Sequence, residues 1–578
     1  MKEGGLQSAG VIMRRPHLSL GISLSHDASA AVCVDGEPAV AIASERLCRR
    51  KHGFPPVKRY HFELPWDAIC YCLDAVGAGL DDCCRIVLNK AGGTWDWRIE
   101  DLRRTIPVKD KNKLVCLNSH HYAHALYSYC ASGFREAVVL VADRFGSFVP
   151  GRGYEAETGY IVRNGTWERV FANYLPLPAE PYGQFIAEHS LTALYQIVTL
   201  HYGFYREMDQ CGKTMGLAPY GKRLHPPGTW VRLDGDFSLD CSRFYEEMLA
   251  QGAIRADPIP PAGFSIHMAS RVARRDYRQV TPDFACQIQA EVEQAACELV
   301  QRLVGRSGIR SVCVAGGLFH NSALNGRLLE LPCVERLFVP PAVSDDGNAL
   351  ACAYYGCLLD EVVCRPLLHP FLGRDYSADE MEASLRRAGL DYRRLAEDEL
   401  LESAAAALES GDVLGWFQGR GEFGFRALGH RSILADPRDP GIRDYLNRHV
   451  KHREPFRPLA ATVLEEEAGA WFAPAVACPF MTAVSRSLRP QAVPGVTHVD
   501  QSCRIHTVNK GEGLMYRLVK RFGQRTGVPL LLNTSFNDRG EPIVETPDDA
   551  LKSFRAMRLD RLALGPFWVE KEKGSAGR

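Results

Sequence analysis

The chain has 578 residues, too many for one ordinary hydrophobic core, so at least two domains are expected. Lys plus Arg and Asp plus Glu each number 69, a balance that excludes a nucleic-acid scaffold or an anionic-membrane binder working by net charge. The nineteen cysteines form no Cys-x-x-Cys pair and many lie in apolar runs, so they read as buried thiols of a reducing, cytoplasmic compartment rather than a disulfide framework.

No stretch approaches the roughly 18 to 20 apolar residues of a membrane span, and no secretory signal opens the chain, because the apolar run from Leu18 is broken at His26 and Asp27. Met1 to Arg15 reads as a loose leader. Leu18 to Leu47 alternates strand, polar turn, strand, Asp35-Gly36 turn and strand, which predicts a β-meander. Ala137 to Ala142 reads as a strand ending in Asp143, and Ser311 to Ala315 as one running into Gly316-Gly317. Between them, Ile288, Val292, Ala295, Leu299 and Leu303 fall on one helical face over Cys286 to Val304. Strands alternating with helices predict an α/β class. Pro366, Pro370 and Gly373 punctuate a connector over residues 364–400, and a second α/β unit follows over 401–572, after a first over 16–363. No internal repeat is visible.

In Ser119-His-His-Tyr-Ala-His-Ala125, His120 and His124 are four apart, so a helix projects both imidazoles from one face toward a single metal ion, while His121 points elsewhere. Asp143 and Asp345 would complete a set of two nitrogens and two oxygens suited to iron, zinc or manganese. Each aspartate alone is more often a helix cap or turn residue.

Several motifs in fixed order carry a resemblance over nearly the whole chain: His26-Asp-Ala-Ser-Ala-Ala31, the His120/His124 run, Gly212-Lys-Thr-Met-Gly-Leu-Ala-Pro-Tyr-Gly221, Gly316-Gly-Leu-Phe-His-Asn-Ser-Ala-Leu-Asn-Gly326 and Asp345-Asp-Gly347. Gly419 to Leu434, Lys451-His-Arg-Glu-Pro-Phe-Arg-Pro458 and Leu531-Leu-Asn-Thr-Ser-Phe-Asn537 follow. The chain resembles the NodU/CmcH family of O-carbamoyltransferases. That resemblance implies an actin-like ATPase N-terminal domain similar to TsaD, the tRNA threonylcarbamoyl-transferase subunit, and a C-terminal domain similar to YrdC. It implies that His120, His124, Asp143 and Asp345 hold Fe(II), with Zn or Mn as alternatives, and that ATP, with Mg, and carbamoyl phosphate are cosubstrates. The acceptor it implies is a hydroxyl of a small natural product, with no nucleic acid and no membrane as partner; self-association stays open.

Carbamate is a poor electrophile, so coupling to AMP is needed before a hydroxyl can attack. By resemblance the C-terminal domain forms carbamoyl adenylate and the N-terminal domain transfers it, shielded from water. Arg420, Arg426, Arg431, Lys451, Arg453 and Arg457 gather positive charge in glycine- and proline-punctuated motifs, with Arg504 as a further candidate. Lys451 and Arg420 are expected on phosphate or carbamoyl groups. Asn533, Ser535 and Asn537, expected beyond a strand Val528 to Leu532, can bond phosphate oxygens or the carbamoyl amide, or else cap a helix. Gly316 and Gly317 admit close approach of a phosphate, with Asn321 and Asn325 on the nucleotide. His26 could take the acceptor proton and Lys51 steady the carbamoyl oxygen, although a lone histidine is more often structural.

Two departures stand out. Relatives carry Asp-Gly-x-Gly-Glu or similar where this chain has Asp143-Arg-Phe-Gly-Ser147, and Phe-Gly-Pro-Arg where it has Phe425 before Arg426. Lys213 lacks the Walker spacing, which leaves its role open. Three rival readings remain at this level: an actin-like kinase or ATPase, a nucleotide-binding module without catalysis, and a threonylcarbamoyl-type transferase acting on tRNA.

Overall fold

The computed structural model describes residues 15–53, 64–90, 103–175, 189–204, 210–235, 237–254 and 272–571. The expected leader, Arg15 apart, lies outside them.

Strands β1 (Leu18–Leu24), β2 (Ser29–Val34) and β3 (Glu37–Ala43) form the predicted antiparallel meander. β4 (Arg85–Lys90) and β5 (Leu114–Leu117) add in parallel on the other side of β1, giving the order β3-β2-β1-β4-β5. All seven residues of β1 are buried, as expected of a strand covered on both faces. The helix Asn348–Leu359 lies directly on this sheet. A Cβ at Gly21 would stand 2.0 Å from the Ala349 carbonyl oxygen, so only glycine admits that approach.

A second sheet repeats this plan. β6 (Glu136–Ala142), β7 (Gly153–Arg163) and β8 (Thr166–Leu175) run antiparallel, and β9 (Ser311–Ala315) and β10 (Arg336–Phe338) join β6 in parallel. The order β8-β7-β6-β9-β10 thus copies that of the first sheet, to which the second adds a two-residue strand, Phe148–Val149, paired with β7. The helix Asp283–Ser307 covers it, with Ile288, Val292, Ala295, Leu299 and Leu303 all buried on the predicted face. Two such lobes are the duplicated α/β arrangement of an actin-like ATPase fold. The duplication lies in topology and not in residue identity, which is why no repeat shows in the sequence.

The C-terminal domain is a single ten-stranded mixed sheet. Its strands are β11 (Arg393–Arg394), β12 (Leu414–Phe417), β13 (Arg431–Ala435), β14 (Ala460–Leu464), β15 (Phe472–Ala473), β16 (Ala483–Ser487), β17 (Ser502–Val508), β18 (Leu530–Ser535), β19 (Arg561–Leu564) and β20 (Phe567–Glu570). The sheet order is β11-β20-β19-β12-β13-β18-β14-β17-β16-β15, with apolar cores on both faces. The segment read as a connector contributes to this domain: its helix Ala378–Ala388, started by a Ser377/Glu380 capping box, packs on the helix Pro547–Ala556, and β11 pairs with β20.

The two domains are latched at several points. Arg49 donates to the carbonyls of Pro542 and Ile543 at 2.8 and 2.7 Å, Arg46 to Gly424 O at 2.8 Å, and the Tyr71 hydroxyl to Glu545 at 2.7 Å. On another side, Asn325 donates to Thr482 O and Lys213 pairs with Glu454. Among the described residues no helix is long and apolar enough to cross a membrane.

Candidate metal centre and phosphate site

The turns that follow the equivalent first strands of the two lobes converge. β1 delivers His26 and Asp27, and β6 delivers Asp143. Between them lies the helix His120–Ser132, whose N-cap Ser119 accepts a hydrogen bond from Tyr122 N. Helical spacing turns His120 and His124 to the same side, with their Nε2 atoms 3.1 Å apart. Asp345, at the start of a single helical turn, places Oδ1 3.1 Å from His120 Nε2 and 3.3 Å from His124 Nε2. Asp143 Oδ2 lies 3.2 and 3.6 Å from the same two nitrogens.

These contacts are edges of one small polyhedron. Five of the six separations among these four donors are 3.1–3.6 Å and all four lie within 4.8 Å of one another, the spacing of ligands gathered about 2 Å from a shared transition-metal ion. The donor set therefore fits a divalent metal ion. Charges agree with that reading. Burial works against a charge on His120, yet Asp345 and Asp143 push its pKa up to about 10. Burial likewise opposes the charged carboxylates, but the two imidazoles hold Asp345 and Asp143 well below the usual range.

A second ring of contacts fixes these donors. Asn89 Oδ1 lies 3.4 Å from His120 Nδ1, the ring nitrogen not used in the cage, whereas Asn348 Nδ2 approaches His124 Nε2 itself at 3.3 Å, a contact that a bound ion would replace. The unusual Ser147 accepts the His120 N–H at 2.8 Å, so the departure after Asp143 still supports the helix start. His121 turns away to Thr158. Gly316 has φ +96°, and a Cβ there would meet the Ala142 carbonyl at 2.4 Å; Gly317 lies against Asp143. The glycine pair thus packs the turn after β9 onto the metal-side loop.

His26 sits at the rim of this cage, 29% exposed, with Nδ1 3.4 Å from Asp345 Oδ2 and Nε2 3.3 Å from Asp27 Oδ2. Burial works against its charge, but Asp27 and Asp345 on either side raise its pKa above the ordinary value. Asp27 is also bonded to His52 Nδ1 at 2.7 Å. Sequence reasoning passed over His52, although it directly follows Lys51. Lys51 is exposed and close enough to Lys451 for its charge to be felt there.

In the C-terminal domain Lys451, Ser535 and Asn537 come together. The Lys451 ammonium donates to Ser535 O and Asn537 Oδ1, both at 2.7 Å, to the Asn537 carbonyl, and to Ser535 Oγ at 3.3 Å. Burial pushes its pKa well down, helped by the Arg453 and Lys51 charges. Arg453, Arg457 and Arg504 stand beside one another, and repulsion adds to burial in lowering Arg453. Arg504, under the same two influences, falls to about 10, and its buried Nε has no partner among the described residues.

Other expected residues are placed differently. β18 runs through Ser535, because its pairing with β13 continues from Leu532 to Ser535; Asn533 is therefore inside the sheet, bonded to Thr462 and Ala427 O. The Arg420 guanidinium turns to backbone carbonyls, those of Gly373, Leu372 and Ala39. Arg431 is fully buried, stacked 3.6 Å over the Phe417 ring and donating to Gln418 O. Arg426 reaches His320 O, beside the T-shaped contact of Phe425 with His320. Asn321 caps the helix Ser322–Leu329 and bonds Gln289, and the Asn325 amide bridges to Phe319 O and Thr482 O. Both asparagines thus perform structural tasks, and Asn325 Oδ1 is buried without a partner among the described residues.

Residues 99–354 match the family model described as Carbamoyltransferase N-terminus, and residues 405–571 match Carbamoyltransferase C-terminus. The chain is 32% identical over 594 residues to nodulation protein NolNO of Sinorhizobium fredii, covering 96% of this chain and 81% of that protein. It is 34% identical over 474 residues to nodulation protein NolO of Bradyrhizobium diazoefficiens, 79% of each. To the 3'-hydroxymethylcephem-O-carbamoyltransferase of Amycolatopsis lactamdurans it is 28% identical over 377 residues, 64% of this chain and 66% of that one.

Proposed function

We propose a reaction on the premise that this chain belongs to the carbamoyltransferase family: ATP-dependent transfer of the carbamoyl group of carbamoyl phosphate, through carbamoyl adenylate, to a hydroxyl of a small natural product. The chain is a transferase; the donor, the nucleotide and the acceptor are the proposal. The observation that carries it is the Lys451–Ser535–Asn537 knot beside the Arg453, Arg457 and Arg504 row. So much buried, mutually repelling positive charge is costly unless an anion such as a polyphosphate binds it.

The chemistry divides between the domains. Loss of phosphate from carbamoyl phosphate, with water, leaves carbamate; a carbamate oxygen attacks the α-phosphorus of ATP and pyrophosphate departs. Lys451 and the arginine row would neutralise the phosphates and the leaving pyrophosphate. At the other end the acceptor hydroxyl attacks the carbamoyl carbon and AMP leaves. His26, between Asp27 and Asp345, would take the hydroxyl proton on a ring nitrogen released from one of these carboxylates, and Lys51 would steady the carbamoyl oxygen. His120, His124, Asp143 and Asp345 would hold Fe(II), with Zn or Mn as alternatives, supplying fixed positive charge for the adenylate phosphate. The name of the Amycolatopsis relative, a cephem O-carbamoyltransferase, supports a small-molecule hydroxyl as acceptor.

The test is pyrophosphate release from ATP and carbamoyl phosphate by the Fe(II)-loaded protein without acceptor, beside Lys451→Ala. Release that Lys451→Ala abolishes supports the adenylating half-reaction. ADP as the nucleotide product would sink it in favour of a kinase.

A further inference from the structure

Glu454 is the acidic member of Lys451-His-Arg-Glu-Pro-Phe-Arg-Pro458 and lies among cations. Its Oε2 is 3.8 Å from Arg457, but the closer partner of the carboxylate comes from the other domain: Lys213 Nζ stands 2.9 Å from Oε1. Both side chains are largely buried, 15% exposed for Lys213 and 11% for Glu454. At that depth the charge of one carboxylate is felt strongly by its neighbours.

The surroundings make the pair a docking contact. Lys213 lies on the helix Cys211–Leu217 and also faces the Phe204 ring at 5.5 Å. Further along that helix, the Gly216 carbonyl accepts from His498 Nε2 at 3.0 Å, and Phe456 packs between Phe204 and Tyr277. The loop 453–457 is held from its other side by Asn447, which bonds Arg453 Nε at 2.7 Å and Arg457 O at 2.9 Å. Thus a neutral amide holds the Arg453 guanidinium and the Arg457 backbone while a lysine of the N-terminal domain holds the one carboxylate in the loop.

We propose that Lys213 is a positioning residue of the phosphate site: by holding Glu454 it keeps that carboxylate, already 3.8 Å from Arg457, from closing fully onto the Arg453–Arg457–Arg504 row, so that the C-terminal domain binds polyphosphate at full strength only with the helix Cys211–Leu217 docked on it. The inference rests on the reading above that this row binds the phosphates of ATP. Without the lysine, Glu454 would swing onto Arg457 and Arg453 and occupy the donors a phosphate needs. The arrangement makes activation in one domain depend on the presence of the other.

Calorimetric titration of inorganic pyrophosphate into the full-length protein tests this, with Lys213→Met, Glu454→Gln, the double variant and Lys213→Arg. Lys213→Met should bind about tenfold more weakly, Glu454→Gln at least as tightly as the parent, and the double variant within about twofold of Glu454→Gln. Lys213→Arg should bind like the parent, because it retains the pairing charge. Affinity unchanged in Lys213→Met overturns the inference; so does a double variant as weak as Lys213→Met, which would mean that Lys213 touches the phosphate itself. A parent that binds no pyrophosphate removes the phosphate-site reading and this inference with it, an outcome distinct from both. Equal melting temperatures and metal contents across the set would exclude misfolding as the cause of any loss.

Discussion

The Nε2 atoms of His120 and His124 face each other at 3.1 Å inside the N-terminal domain, with Asp143 and Asp345 closing on both. Two imidazole nitrogens so close share either a proton or a cation, and two converging carboxylates favour the cation. The protein is expected to carry one transition-metal ion per chain by elemental analysis, and His124→Ala to carry none. A bound ion stabilises only the native state, so chelation should lower the melting temperature by about 5 °C or more. Metal content untouched by His124→Ala would move the site elsewhere.

Asn537 lies beside Lys451 as a neutral acceptor, its Oδ1 2.7 Å from the ammonium. Asn537→Asp would supply a counter-charge at that distance and quench the lysine's attraction for phosphate. The Michaelis constant for ATP in the pyrophosphate-releasing half-reaction should rise roughly tenfold, with metal content unchanged. An unaltered constant would show that Lys451 does not meet the nucleotide.

Several features were readable from residues alone because they depend on neighbours in sequence. The meander from Leu18, the buried face from Ile288 to Leu303 and the i, i+4 histidine pair each follow from local periodicity. The family motifs likewise pointed to Lys451, Ser535 and Asn537, which the fold brings into one knot. Long-range pairing was not readable. β18 continues through Ser535 only because β13 lies beside it, and Arg420 turns to Gly373 and Ala39 because of how two domains dock. The bond from Asp27 to His52 and the pairing of Glu454 with Lys213 also join segments that no spacing rule connects.

Arg49 couples the domains through two charge-assisted bonds, to Pro542 O and Ile543 O, and lies 3.4 Å from Asp549. Arg49→Ala leaves both candidate sites intact but removes that latch. Complete carbamoyl transfer should fall about tenfold or more, while pyrophosphate release without acceptor stays within about twofold of the parent. Equal losses in both assays would mean that the latch shapes the C-terminal site itself.

Glu157 gives the stability of the second lobe a pH dependence. It lies opposite Ala142 in the β6–β7 ladder, fully buried, with Oε1 accepting from Ser190 Oγ at 3.0 Å and Leu191 N at 2.8 Å, and Oε2 without a partner among the described residues. Burial pushes its pKa up to about 7, against the opposing pull of the Leu191 N–H and the Ser190 hydroxyl. Since the folded pKa exceeds the unfolded value, the native state holds the proton more tightly between the two. Stability from this group is therefore complete below about pH 4.5 and is lost as pH rises through about 7. Glu157→Gln keeps an acceptor for Ser190 and Leu191 and cannot ionise, so above pH 7 it should unfold at a temperature a few degrees higher than the parent. Below about pH 4.5 that advantage should vanish. Melting curves at pH 4.5, 6 and 8 measure the difference directly. A constant offset across that range would mean that Glu157 does not titrate there, and a lower melting temperature at pH 8 would mean that the lost carboxylate was itself stabilising the start of the helix Leu191–His201.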